Sequence, residues 1–134
     1  MNITHFDDLL QAARAQDQAQ RLLLVFVRVE LPEDASPQQR QGFEAGQGGT
    51  LAPVMCVDKD PHALASFAAL VAEADGLGAP WGMVLAGALS GQHMQAPSES
   101  AVQAALERLV QRVQQGALEG LIPFERSGDA VAIA

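Results

Sequence analysis

Residues 21–29 read RLLLVFVRV, and every position from Leu22 to Val27 is apolar. In a strand, successive side chains point to opposite faces, so a run of this kind must be covered on both sides. That requirement sets the fold class: a sheet carrying helices on each face, an α/β sandwich. The neighbouring segments are read outward from this strand.

Upstream, Ile3, Phe6, Leu9, Leu10 and Ala13 recur at helical spacing, with Thr4 and Asp7 in a capping relation, and predict a helix over 4–16. Downstream, 31–49 (LPEDASPQQRQGFEAGQGG) is polar and glutamine-rich. It reads as a mobile loop holding at most a short helix, capped by Ser36 and opened by Pro37. TLAPVMCVD (50–58) is a second strand, with Pro53 near its start. Asp60 and Pro61 then look like the cap and first residue of a helix over 61–75, with Leu64, Phe67, Ala68 and Val71 on its inner face. WGMVLAGAL (81–89) is a third buried strand. In SESAVQAALERLVQRVQQG (98–116), Val102, Ala105, Leu106, Leu109, Val110 and Val113 form one apolar stripe. LIPFER and AVAIA predict a closing hairpin turned at Ser127-Gly128. The expected order is α-β-(α)-β-α-β-α-β-β, one domain over 1–134 with a mixed sheet of about five strands.

Composition narrows the function. A formal net charge of −8 disfavours nucleic acid and anionic membrane as partners. The basic residues are scattered singly, the closest pair being Arg108 and Arg112 in a late turn of the long helix. One cysteine excludes an internal disulfide and every multi-cysteine metal pattern. The acidic start MNITHFDDLL lacks the positive region of a signal peptide, and no apolar run is long enough to span a bilayer. The expectation is an acidic, soluble domain of the bacterial cytoplasm. Its partners would be another protein, a small molecule or a second copy of itself.

The chemistry-bearing residues concentrate in PVMCVDKDPH (53–62). Strand alternation places Val54, Cys56 and Asp58 on one face and Met55 and Val57 on the other. Inside this apolar run, and with acids rather than cations as neighbours, Cys56 reads as inert core. Asp58 and Asp60 are spaced to share a hard cation, yet no third acid follows closely, so no metal site is assigned. Lys59 is suited to gripping an anion, and His62 to contacting a ligand. If the first three strands run parallel, their ends gather Arg28 and Glu30, Asp58 to His62, and Ser90, Gln92 and His93 into one polar rim. If strands one and two are antiparallel, Arg28 moves to the far edge and the cluster disperses. The ligand-binding candidates are thus Asp58, Lys59, Asp60, His62, Ser90, Gln92 and His93. No dinucleotide fingerprint, P-loop or nucleophile elbow is present, and no cofactor is expected.

The segments HFDDLLQAARAQ (5–16), ELPEDA (30–35), FEAGQGG (43–49), PVMCVDKDP (53–61), ALSG (88–91) and FERSGDAV (124–131) carry a resemblance to a family of short bacterial proteins. Its members are commonly labelled "ribonucleotide reductase subunit alpha". The label implies a radical-bearing cysteine and a pair of reducing thiols, and Cys56 stands alone. No catalytic residue of a reductase can therefore be carried over. GGTLAPVMCVDKDPHALASF (48–67) is also similar, at the level of fold, to secretion-enhancer-like domains. The leading expectation is a non-catalytic binding or regulatory module. The alternative is a small enzyme or ligand-binding protein with its site around Asp58, Asp60, His62 and His93.

Overall fold

The computed structural model describes residues 2–30, 36–44 and 50–131. The elements follow one another as α1 (Phe6–Arg14), β1 (Gln20–Glu30), α2 (Pro37–Glu44), β2 (Thr50–Lys59), α3 (Phe67–Gly76), β3 (Met83–Ser90), α4 (Glu99–Gln114) and β4 (Ile122–Glu125). Four strands form one sheet in the order β2-β1-β3-β4, and every neighbouring pair is antiparallel.

The doubly apolar run does what its pattern requires. Leu22, Leu24 and Phe26 project from β1 into a core shared with Phe6 and Leu10 of α1 and with Phe67 and Leu70 of α3. Leu23, Val25 and Val27 project the other way, onto Val102, Leu106, Leu109 and Val113 of α4. The result is a sandwich of α1 and α3, sheet, and α4. Aromatic edges tie the first layer together: Phe26 meets Trp81 at 4.9 Å and Phe6 meets Phe124 at 5.3 Å between ring centroids.

The expected mixed sheet of about five strands is corrected to an antiparallel sheet of four among the described residues. Alternating helices and strands read as parallel crossover units, but a crossover helix needs an apolar stripe to lie on the sheet. The sequence of α2, PQQRQGFE, has none, and β2 returns antiparallel to β1. A crossover does join β2 to β3 through α3, with β1 between them, so those two strands run in the same direction. At the start of the expected second arm, the described residues form isolated bridges, His5 with Asp129 and Phe124 with Ala130. Residues 132–134 lie outside the described residues. The Ser127-Gly128 turn is present, and Gly128 has to be glycine: its φ is +92°, and a Cβ there would lie 2.4 Å from His5 Nε2.

Helix boundaries shift for identifiable reasons. α1 is capped by His5, whose Nδ1 accepts from the Asp7 N–H at 3.0 Å, and the reciprocal acid is Asp8 rather than Asp7. Ser36 caps α2 as expected, its Oγ accepting from Gln39 N–H at 3.1 Å. The expected mobility of 31–49 falls partly on 31–35 and 45–49, outside the described residues. α3 starts at Phe67 with Ser66 as its cap, six residues later than the sequence suggested. In β2 the register slips between Phe26 and Val27, leaving Val54 unpaired beside Pro53. A bulge on an edge strand is where proline is tolerated. The slip also moves Val54 onto the face of Met55 and Val57, against the α1–α3 core, rather than the face of Cys56.

Candidate functional site

Because β1 runs antiparallel to both neighbours, its first residues lie between the last residues of β2 and β3. Leu22 is opposite Lys59, Leu23 opposite Asp58, and Gln20 opposite Ser90. Arg28 and Glu30 leave for the other end of the sheet, where the Arg28 guanidinium bonds the Glu30 carboxylate. The expected dispersal of the remaining cluster is corrected, since β2 and β3 still end together. The sheet end is assembled from Asp58 to His62, Ser90 to His93, and two residues that sequence reasoning passed over, Gln20 and Arg21.

Each candidate can be placed. Asp58 faces the α4 side and accepts from Arg21 Nε at 2.7 Å. The two side chains are 24% and 36% exposed, so the pair sits half in solvent. Beside it lies a recess of about 380 Å³, walled by Pro97, Glu99, Val102 and Gln103 at the start of α4. Lys59 points to the opposite face, where its Nζ bonds both Glu73 carboxylate oxygens at 2.6 and 2.7 Å and fastens α3 to β2. It is not available to the Asp58 side.

Asp60 does not cap α3. Its Oδ1 accepts from His62 N–H at 2.9 Å, and its carbonyl accepts from Ala63 and Leu64 N–H, both at 3.0 Å, closing a turn over 60–64. Arg14 staples that turn to α1 through Pro61 O and Leu64 O, each at 2.7 Å. A second acid, Asp7, accepts from Phe67 N–H at 2.8 Å and so supports the true start of α3. His62 is exposed on this turn.

Ser90 Oγ accepts from Gln20 Nε2 at 2.8 Å. Gln92 and Gln95 exchange backbone hydrogen bonds of 3.1 and 2.9 Å across a two-residue turn, whose tip residues His93 and Met94 have φ of 53° and 61°. Such a turn needs left-handed backbone at both positions, and neither residue is glycine. It is held by Gln18, whose Oε1 accepts from Met94 N–H at 3.0 Å. Gln92 and His93 are exposed.

His62 and His93 therefore share one end of the sheet, but they follow strands with β1 between them, a spacing of roughly 10 Å. Among the described residues neither side chain makes a hydrogen bond or ion pair, and no group of three His, Cys, Asp or Glu is placed to hold a metal ion. Cys56 corrects its expectation outright: it is exposed. Of the residues of β2, only Leu51 joins the apolar core under α4. The thiol on this outer strand is left uncovered.

Arg21 was legible in principle. It opens the doubly apolar run, and once β1 is known to be antiparallel it falls at the site end in place of Arg28. No family model, curated protein or solved structure matches the chain. Among the described residues, no helix is long and apolar enough to cross a membrane.

Proposed function

We propose that this chain is a non-catalytic binding or regulatory module of the bacterial cytoplasm, with a small polar ligand held at the Arg21–Asp58 end of the sheet. One observation carries the reading. The candidate acid–base groups are committed to structural partners or kept apart, while the recess beside Arg21 and Asp58 stays open. Arg21 spends its Nε on Asp58 and keeps further guanidinium donors for an anionic group. Asp58, Glu99 and Gln103 supply acceptors for hydroxyl or amino groups on the same ligand. The resemblance to the short bacterial family belongs to the proposal, without the reductase chemistry of its label, because the chain has a single cysteine.

A thermal-shift screen against divalent metals, nucleotides, sugar phosphates and acidic metabolites tests it. A ligand at a hundred times its dissociation constant adds about 2.7 kcal/mol to the native state, enough to raise the midpoint by several degrees. The expected result is a shift in the wild type that Arg21→Gln and Asp58→Asn both abolish. No shift with any class, or a shift indifferent to both substitutions, removes this site.

A further inference from the structure

β4 pairs with β3 only from Met83 to Ala86, although β3 continues to Ser90. The last four residues of β3 thus have β1 on one side and no strand on the other among the described residues. Gly91 N–H donates to Ala19 O at 2.8 Å, so the odd-numbered residues of β3 bond toward β1 and the even-numbered ones away from it. Pro123 agrees with this alternation. It sits opposite Leu85, where no bond to β3 is required, and its carbonyl accepts from Val131 instead. The N–H and C=O of Ala88 and Ser90 therefore point outward past the end of β4. They form a half-edge of roughly 13 Å, room for about four residues of a paired strand.

A groove of about 290 Å³ runs alongside on the α4 face. Leu23, Leu89, Leu109 and Leu121 line it, and Gly87 opens it, since a Cβ there would lie 3.1 Å from Leu121 Cδ2. Its α4 wall carries Arg108 and Arg112, the one close pair of basic residues in a chain of net charge −8. Arg112 is turned toward Glu119, bonding its backbone carbonyl and standing 4.0 Å from its carboxylate. Arg108 is exposed and, among the described residues, has no hydrogen bond or ion pair.

We propose that this half-edge and groove receive an extended peptide segment of a partner protein, carrying an acidic side chain for Arg108. Backbone pairing to Ala88 and Ser90 supplies strand addition, the leucines take an alternate apolar side chain, and Arg108 selects the charge. A second copy of the chain fits poorly. A two-fold contact would set this patch against itself and bring each Arg108 toward another. The proposal is independent of the Arg21–Asp58 recess.

The test is selection of random seven-residue peptides displayed on phage against the full chain, followed by titration of the enriched synthetic peptides into the ¹⁵N-labelled protein. The expected peptides contain Asp or Glu, shift the Ala88 and Ser90 amides, and bind about tenfold more weakly to Arg108→Glu. They bind Asp58→Asn as they bind the wild type, which separates this site from the recess. Ala88→Pro removes an outward N–H without touching the arginines and also weakens binding. The idea is overturned if no peptide is enriched, if the enriched peptides lack acids or shift amides elsewhere, if Arg108→Glu binds them unchanged, or if the protein self-associates through this edge.

Discussion

Asp75 joins three parts of the molecule through one carboxylate. Its Oδ1 accepts from Trp81 Nε1 at 3.1 Å and its Oδ2 from Arg126 Nη2 at 2.8 Å, while the Arg126 guanidinium lies 4.2 Å over the Trp81 ring. The Arg126 hydrogen bond is the main reason its pKa lies below the ordinary value of 3.8, and the backbone N–H of Thr4 is the main reason for the same shift at Asp8. A depressed carboxyl pKa stabilises the fold above the unfolded value, and that stability is lost as pH falls through the folded one. Asp75→Asn should therefore be less stable than wild type at neutral pH, with the gap closing below about pH 4, as urea midpoints taken along a pH series will show. Single residues also matter at the Gln92–Gln95 turn. Replacing Met94 by glycine relieves a left-handed residue and should stabilise the protein by about 0.5–1 kcal/mol in urea unfolding. Gly91→Ala should do the reverse, because a Cβ there would lie 1.8 Å from the Gln95 carbonyl oxygen.

At the scale of elements, β1 is the member on which both layers depend. Phe26 is 1% exposed and braces Trp81, so Phe26→Ala is expected to cost about 3–5 kcal/mol, readable as a lowered denaturation midpoint. β2 is the contrasting case, an outer strand with a bulge, a proline and a bare thiol. Cys56 should react with a disulfide reagent such as DTNB in the folded protein without prior unfolding, and protection until unfolding would contradict its placement. These two strands also show what a sequence reveals. The apolar run from Leu22 to Val27 specified a strand covered on both faces, because pattern and burial are the same fact. Cys56 misled because an apolar run does not say whether its strand will be central or outermost. Asp60-Pro61 misled because an aspartate that closes a turn and one that caps a helix look alike locally. Ser66 and the distant Asp7 decide where α3 begins.

For the molecule as a whole, direction and neighbour order were hidden, since they depend on contacts far apart in the chain. Arg21 meets Asp58 across 37 positions, and Gln20 meets Ser90 across 70. Asp58 to His62 and Ser90 to His93 therefore gather at one end of the sheet without the parallel β1 on which the sequence-based expectation rested. Lys59 and Asp58 are adjacent in sequence but back opposite layers.

β1 emerges early during synthesis, but β3, one of its two partners, is complete only at Ser90, some sixty residues after β1 ends. At a synthesis rate of about 5–20 residues per second, that leaves several seconds in which a greasy, β-prone segment waits with an open side. Nascent chains stalled before residue 83 should thus be captured by holding chaperones or form aggregates through Leu22 to Val27, whereas chains released with both β3 and α4 complete should not. Protecting the ribosome-bound intermediate, more than strengthening the finished domain, is where its solubility in the cell would be won.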